Sequence, residues 1–307
     1  MMNSLSRFKP KNYWSILVIS LGASLFLSGC KNGELDALIE SVKEATPEQQ
    51  QFCESKAAPF AHAVCQVSQN ELLEANSALS LHLFWKSGQW QAAQEDDRAR
   101  LADQDQTIQP LYKFNNLLAD LPKSSELKFA TNAGMYNAEF APIGFTVLQG
   151  RQILSLNLNE GAGNFHMMPN GVLWWDQKNR VSITESHKFN EMLQSGVAKP
   201  WYATQSGPML VIEGKLHPKF NPASTSQKIR NGVGVCEDGN IKFVTSNEPV
   251  TFYQFASLFK EDLNCANALF LDGGIASALY APDIAHQDNK NMGVMVGLIE
   301  DHSSNKQ

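Results

Sequence analysis

The chain has 307 residues, a formal net charge of −6 and 43% hydrophobic residues, enough apolar material for one large core. Its mild acidity comes without a basic stripe, which excludes nucleic acid as the natural partner.

Arg7, Lys9 and Lys11 stand ahead of an apolar run from Trp14 to Phe26. The run is too short and wrongly flanked for a membrane span and reads as a secretory signal. It ends in Leu27-Ser28-Gly29-Cys30, which resembles the bacterial lipobox. That resemblance implies a cut before Cys30 and lipidation of its thiol, so that residues 1–29 are a leader and the mature chain is tethered to a membrane of the cell envelope. Lys31, where Asp would favour the inner membrane, implies the outer membrane facing the periplasm if the envelope is Gram-negative. Residues 30–56 read as a polar spacer. Leu35, Leu38, Ile39 and Val42 give it one helical pattern.

The domain proper is expected over 57–300. His62 to Ser68 reads as a strand, and Leu79, Leu81 and Leu83 alternate with polar residues as a half-buried one. Residues 94–106 form a charged loop. Ile108, Leu111, Leu118 and Leu121 suggest an apolar helix stripe that stops at Pro122. Lys128 to Thr131 is a strand running into Asn132. Gly144–Leu148 and Arg151–Leu158 flank Gln149-Gly150, a hairpin signal, and Asn170-Gly171 and Glu213-Gly214 mark further turns. Thr251 with Gln254 forms a capping box ahead of Phe252, Phe255, Phe259 and Leu263 on one helix face. Ala268–Leu271 is a buried strand, Gly293–Leu298 closes the sheet, and 301–307 is a disordered polar tail. The sum is a single α+β domain, a mixed β-sheet core with flanking helices. In an exported chain, Cys53, Cys65, Cys236 and Cys265 suggest two disulfides. Cys53–Cys65 flanks a short loop and Cys236–Cys265 lies on two strands expected to be neighbours; buried free thiols are the alternative.

Four segments share one design, a strand joined to a small-residue loop with a polar or charged side chain. They are Asn132-Ala133-Gly134-Met135-Tyr136, Gln205-Ser206-Gly207-Pro208, Arg230-Asn231-Gly232, and Asp272-Gly273-Gly274 with Ser277. Glycine permits close approach to a ligand, and loops at strand ends are where sites are built. In order and spacing these segments, together with Pro142-Ile143-Gly144, resemble the phosphodiester glycosidases, over roughly residues 60 to 300. That family includes the catalytic domain of the lysosomal uncovering enzyme. Ile275-Ala276 departs from the pattern of many members, which carry a further Gly and Ser there.

The resemblance implies hydrolysis of a sugar-1-phosphate linkage, with a glycan or sugar-phosphate as the partner, and the residues suit it. Arg230 offers a planar fork of donors to phosphate oxygens, helped by amides around Gly207, Gly232 and Gly273. Asp272 is the carboxylate that stabilises an oxocarbenium-like centre, attacks it or activates water. Asn132 orients a sugar hydroxyl or acetamide, and Ser277 holds the phosphate or positions Asp272. Gly134, Tyr136, Ser206, Asn231 and Gly274 complete the expected binding loops. A non-catalytic carbohydrate-binding or envelope-maintenance lipoprotein is the alternative.

The seven histidines include no pair at metal-ligand spacing, so no metal site and no cofactor is expected, although a divalent cation beside Asp272 is compatible with a phosphate diester. His217 reads as loop. Trp174-Trp175 and Trp201-Tyr202 read as core or rim, with sugar stacking as the alternative. The sequence sets no oligomeric state.

Overall fold

The computed structural model describes residues 50–89, 109–272 and 277–303. The leader, the helical pattern in the spacer, the charged loop at 94–106, Ile108 and the last four residues lie outside the described residues, as do Gly273 and Gly274.

The fold is α+β and dominated by strands. Three sheets form, and every pairing in them is antiparallel. The first runs, in spatial order, β1 (Cys53–Lys56), β2 (His62–Ser68), β13 (Asn240–Ser246), β12 (Asn231–Cys236), β14 (Cys265–Leu271), β10 (Met209–Ile212) and β11 (Lys215–Leu216). The second runs β16 (Ala285–Gln287), β15 (Leu279–Ala281), β4 (Ser125–Asn132), β17 (Met295–Asp301) and β3 (Leu79–Phe84). The third runs β6 (Arg151–Leu154), β5 (Thr146–Leu148), β9 (Tyr202–Ser206), β7 (Gly171–Trp175) and β8 (Val181–Glu185).

Side-chain alternation explains how the sheets assemble. Leu269 and Leu271 of β14, Phe129 of β4 and Trp175 of β7 point into one shared core. The residues between them face outward, and each outer face is covered by a helix. α4 (Phe252–Ser257) puts Phe255 against Phe270 of the first sheet and continues into one π-helical turn, Leu258–Asp262. α2 (Phe114–Asp120) puts Phe114 and Leu117 against Leu127 and Met295 of the second. α3 (Ser186–Gln194) puts Phe189 against Val172 and Ala203 of the third. The remaining helix, α1 (Gln69–Leu73), caps β2. The expected capping box holds: Thr251 Oγ1 accepts from Gln254 N at 3.1 Å and Gln254 Oε1 accepts from Thr251 N at 2.9 Å.

Some elements differ from their expected form. The helix before Pro122 starts only at Phe114, because Tyr112 has φ 61° and Lys113 is extended. Its apolar face is Phe114 and Leu117, whereas Leu111 precedes it and Leu118 points out. β6 ends at Leu154, not Leu158. β17 is displaced toward the C-terminus, so that Asp301 belongs to a strand rather than to the tail. Asn170 is no turn residue: it is buried, donates from Nδ2 to Phe165 O at 2.9 Å and accepts from Ser186 Oγ at 2.5 Å. The compact unit starts at Gln51, upstream of Ala57, because β1 pairs with β2. By contrast, Gln149-Gly150 and Glu213-Gly214 are tight turns with positive φ at both residues of each, as a two-residue hairpin loop demands.

Both disulfides form as paired, Cys53–Cys65 and Cys236–Cys265. Each joins cross-strand register partners, β1 to β2 and β12 to β14. The second closes the longer loop, with a sequence separation of 29 against 12. On loop-closure entropy they contribute about 3.5 and about 3 kcal/mol. Replacing Cys236 and Cys265 together by serine should therefore cost about 3.5 kcal/mol in urea unfolding, slightly more than replacing Cys53 and Cys65.

Candidate active site

The segments singled out in the sequence meet at one end of the sheets. β12 and β14 are antiparallel neighbours with Asn231 opposite Leu271. Arg230, just before β12, therefore enters beside the point where Asp272 leaves β14. Asp272 N donates to Ala133 O at 2.9 Å, which ties the carboxylate-bearing loop to the end of β4. The same loop is held at its far side, where Ala278 N donates to Asn132 Oδ1 at 3.1 Å. Both ends of the turn that carries Asp272 and Ser277 are thus fixed by Asn132-Ala133.

Asn231 completes the clamp. Its Nδ2 donates to Thr131 Oγ1 at 2.9 Å, to Ala278 O at 3.2 Å and to Asn132 Oδ1. Asn132 and Asn231 are fully buried, so their carboxamides lock the first sheet to the second rather than waving in solvent. One atom of each is left over: Asn132 Nδ2 and Asn231 Oδ1 are buried without a hydrogen-bond partner, and so is Ser206 Oγ at the end of β9. Buried polar groups are nearly always paired. Three such atoms fall on residues at the strand ends.

Gly134 shows why small residues are required here. A Cβ at Gly134 would lie 2.3 Å from Thr204 Oγ1 and 2.5 Å from Gln205 O, and its own N donates to that Thr204 hydroxyl at 3.1 Å. Gly134→Ala is expected to force the β4 loop away from β9 and to destabilise by about 1–3 kcal/mol. Parallel chemical unfolding and activity assays should show both falling. Gly207 is equally confined, with Asn170 Cβ at 2.7 Å and Phe165 O at 2.8 Å. Gln205, between these glycine contacts, accepts from Phe145 N at 2.9 Å and Asn157 N at 3.0 Å and donates to Asn157 O at 2.6 Å. Thr204 escaped the sequence reading, which took Gln205 for part of a binding loop and Asn170 for a turn. Its one signal is a run of polar residues, Thr204-Gln205-Ser206, in a strand that is buried throughout.

Arg230 is 3% exposed. Its Cζ lies 3.6 Å from the ring centroid of Phe252 and 5.8 Å from that of Phe270. Nε donates to Val250 O at 2.8 Å and Nη2 to Ser226 O at 3.2 Å, and Nη1 has no acceptor among the described residues. Burial pushes the guanidinium down to about 10, so it stays charged at neutral pH. No carboxylate pairs with it among the described residues. A stack continues behind it: Phe252 lies on Phe220 at 5.1 Å and 8°, and Phe220 on His217 at 4.7 Å and 26°. His217 is therefore a buried member of a ring column rather than open loop, and its imidazole is lowered to about 4, chiefly by burial and then by Lys219.

Tyr136 faces the carboxylate. Its hydroxyl donates to Asn291 O at 3.0 Å. Burial, and after it the charge and hydrogen bond of Asp272, hold the phenol well above its ordinary value. The ring is stacked on Phe140 at 5.5 Å and 26°, and a Cβ at Gly293 would lie 2.6 Å from it. The phenol is thus a fixed donor beside Asp272. Glu126, Glu300 and His302, the group with metal-ligand spacing among the described residues, belong to the other end of β4 and β17. Lys128 Nζ already sits 2.9 Å from Glu126 and 2.6 Å from Glu300.

Residues 125–299 match the sequence profile of a family described as phosphodiester glycosidase. Over 162 residues the chain is 38% identical to a protein of Escherichia coli strain K12 described as the uncharacterized protein YigE. That alignment takes in 52% of this chain and 61% of the relative's own length. Among solved structures, the catalytic domain of zebrafish N-acetylglucosamine-1-phosphodiester alpha-N-acetylglucosaminidase, auto-inhibited by its pro-peptide, superposes with a TM-score of 0.51 at 11% identity, over 82% of this chain and 84% of that one. A hypothetical protein from Synechocystis gives 0.46 at 14% identity, over 81% and 61%. At such identities the structural likeness is one of fold.

Proposed function

The chain belongs to the phosphodiester glycosidase family, and on that premise we propose that it hydrolyses the sugar-1-phosphate linkage of a glycosyl phosphodiester in an envelope glycan or glycoconjugate. The observation that carries this reading is Arg230, a nearly buried guanidinium with no carboxylate partner among the described residues. An unpaired buried charge is costly, and a phosphate offers the compensating anion with oxygens that match the free edge of the fork. Asp272 begins next to it on the neighbouring strand end.

In this reading Arg230 holds the diester phosphate and Asp272 faces the anomeric carbon. The C1–O bond breaks with its electron pair leaving on the phosphate, and a water oxygen ends on C1 while its proton passes to solvent. The departing phosphate is a weak base, so it needs no strong general acid, and one carboxylate suffices where glycosidases ordinarily use two. Tyr136, held beside Asp272, limits the carboxylate's direction. Asn132, buried behind the loop, holds the strand ends that carry Asp272 and Arg230. Asp272 is half-buried rather than sealed in the core, which favours turnover over a binding relic. A divalent cation beside Asp272 stays part of the proposal only as a helper to the same phosphate.

The test is a panel of sugar-1-phosphate diesters presented to the purified chain, with release of free sugar as readout. Turnover of at least one diester, with none on the matching ordinary glycosides, is the expected result. Equal action on both would overturn the role given to Arg230. We extend the proposal to location: lipid on Cys30 tethers the domain to the envelope. Cys30→Ser should move the chain from the membrane to the soluble fraction of a cell lysate, and a chain that stays with the membrane would refute the anchor.

A further inference from the structure

Trp201 is the aromatic residue of the sequence reading that the hydrolytic site leaves unused. It is half-buried, whereas its neighbours Trp175 and Tyr202 are core. Trp201 lines a cavity of about 630 Å³ together with Lys178, Lys199, Gln152, Gln177 and Asp176. That volume lies within the usual range for small-ligand sites.

The chemistry of this lining is specific. The indole is rigidly backed, because a Cβ at Gly150 would lie 2.8 Å from it, and Gly150 N donates to Trp201 O at 2.7 Å. A fixed flat ring with a polar surround suits the apolar C–H face of a sugar. Gln152 and Gln177 are exposed and bring amides that can both donate and accept. Among the described residues neither Lys178 nor Lys199 takes part in an ion pair. The one carboxylate of the lining, on Asp176, accepts at Oδ1 from the backbone N–H groups of Lys178 at 2.9 Å and Arg180 at 3.0 Å. A chain of net charge −6 thus places two lysines against one aspartate around an aromatic platform.

Trp201, the platform of the cavity, is remote from the hydrolytic site. Trp201 precedes β9 and Ser206 ends it. Five residues of extended chain at about 3.3 Å each put them roughly 16 Å apart.

We propose that this cavity is a second, non-catalytic saccharide site that takes an acidic sugar unit, one carrying a phosphate or a carboxylate. Trp201 supplies the stacking face and Lys178 and Lys199 the charge selection. The site holds a glycan at a point remote from the one that is cut, and it stands whether or not Asp272 turns anything over.

The test uses the full-length chain, titrated with glucose 1-phosphate, glucuronic acid and uncharged methyl glucoside, and follows the indole N–H resonance of Trp201 by NMR. Both acidic sugars should shift it saturably, about tenfold more tightly than methyl glucoside, the sum expected of two exposed charge contacts. A shift with glucose 1-phosphate alone makes the site phosphate-selective, and one with glucuronic acid alone makes it carboxylate-selective; either still supports it. The Lys178→Ala, Lys199→Ala double variant changes only exposed residues and should erase the preference while keeping the weak shift. Asp272→Asn should leave every titration unchanged. No saturable shift, equal affinity for charged and neutral sugars, or loss of the shift in Asp272→Asn would each overturn the proposal.

Discussion

Asp272→Asn is expected to lower turnover of a sugar-1-phosphate diester by on the order of 10²–10⁴-fold, the range typical of a lost catalytic carboxylate, while unfolding shifts by less than about 0.5 kcal/mol. The substitution is nearly isosteric. It keeps the backbone bond to Ala133 O that anchors the loop, so the ends of β4 and β14 stay together. What disappears is the negative charge beside the anomeric carbon. Asparagine still fits beside the Tyr136 hydroxyl, but it cannot stabilise a developing cation or form a covalent intermediate. Substrate affinity, measured by calorimetry with the variant, should change little, because phosphate capture is assigned to Arg230. A variant with unimpaired turnover and an intact fold would remove Asp272 from the chemistry and leave the cluster as a binding site.

The parts of this site that were legible in the sequence are those where a strand pattern stops abruptly at a small-residue loop. β4 delivers Asn132 and β14 delivers Asp272 where the apolar alternation predicts their ends. The cross-strand disulfides were legible for a related reason, since strand neighbours bring their cysteines opposite one another. What the sequence hid is set by tertiary context. Thr204 looks like the wet position of an ordinary strand, and Gln205 reads only as the start of a small-residue loop; the covering of both faces of the third sheet, by the shared core and by α3, turns them into the buried network that holds Gly134 and the neighbouring loops. His217 was hidden similarly, because a histidine before a proline says nothing of Phe220, which stacks on it, or of Phe252 of α4 behind that ring. The helix stripe at Leu111 and Leu118 failed for a local reason: the left-handed backbone at Tyr112 delays the helix, and the delay rotates which leucines face the core.

Arg230→Lys should be the second severe lesion, and its kinetic form is informative. Lysine keeps the charge but not the plane: it cannot lie over Phe252 as a delocalised disc, and it cannot hold Val250 O and Ser226 O while presenting a further edge. When the C1–O bond breaks, the phosphate gains negative charge, so the donors facing it strengthen in the transition state. An interaction stronger there than in the bound substrate shows as a fall in kcat, whereas uniform binding shows as a rise in KM. A hydrogen bond to a charged group contributes about 1.5–3 kcal/mol, which corresponds to a loss of about 10–150-fold in kcat/KM, with kcat expected to take the larger part. If KM alone rose, Arg230 would be holding the phosphate equally before and during bond cleavage, and stabilisation of the leaving group would have to come from elsewhere among the strand ends. Inorganic phosphate separates binding from chemistry: it should raise the unfolding temperature of the unmodified chain, by giving the buried guanidinium its missing anion, and do so markedly less for Arg230→Lys.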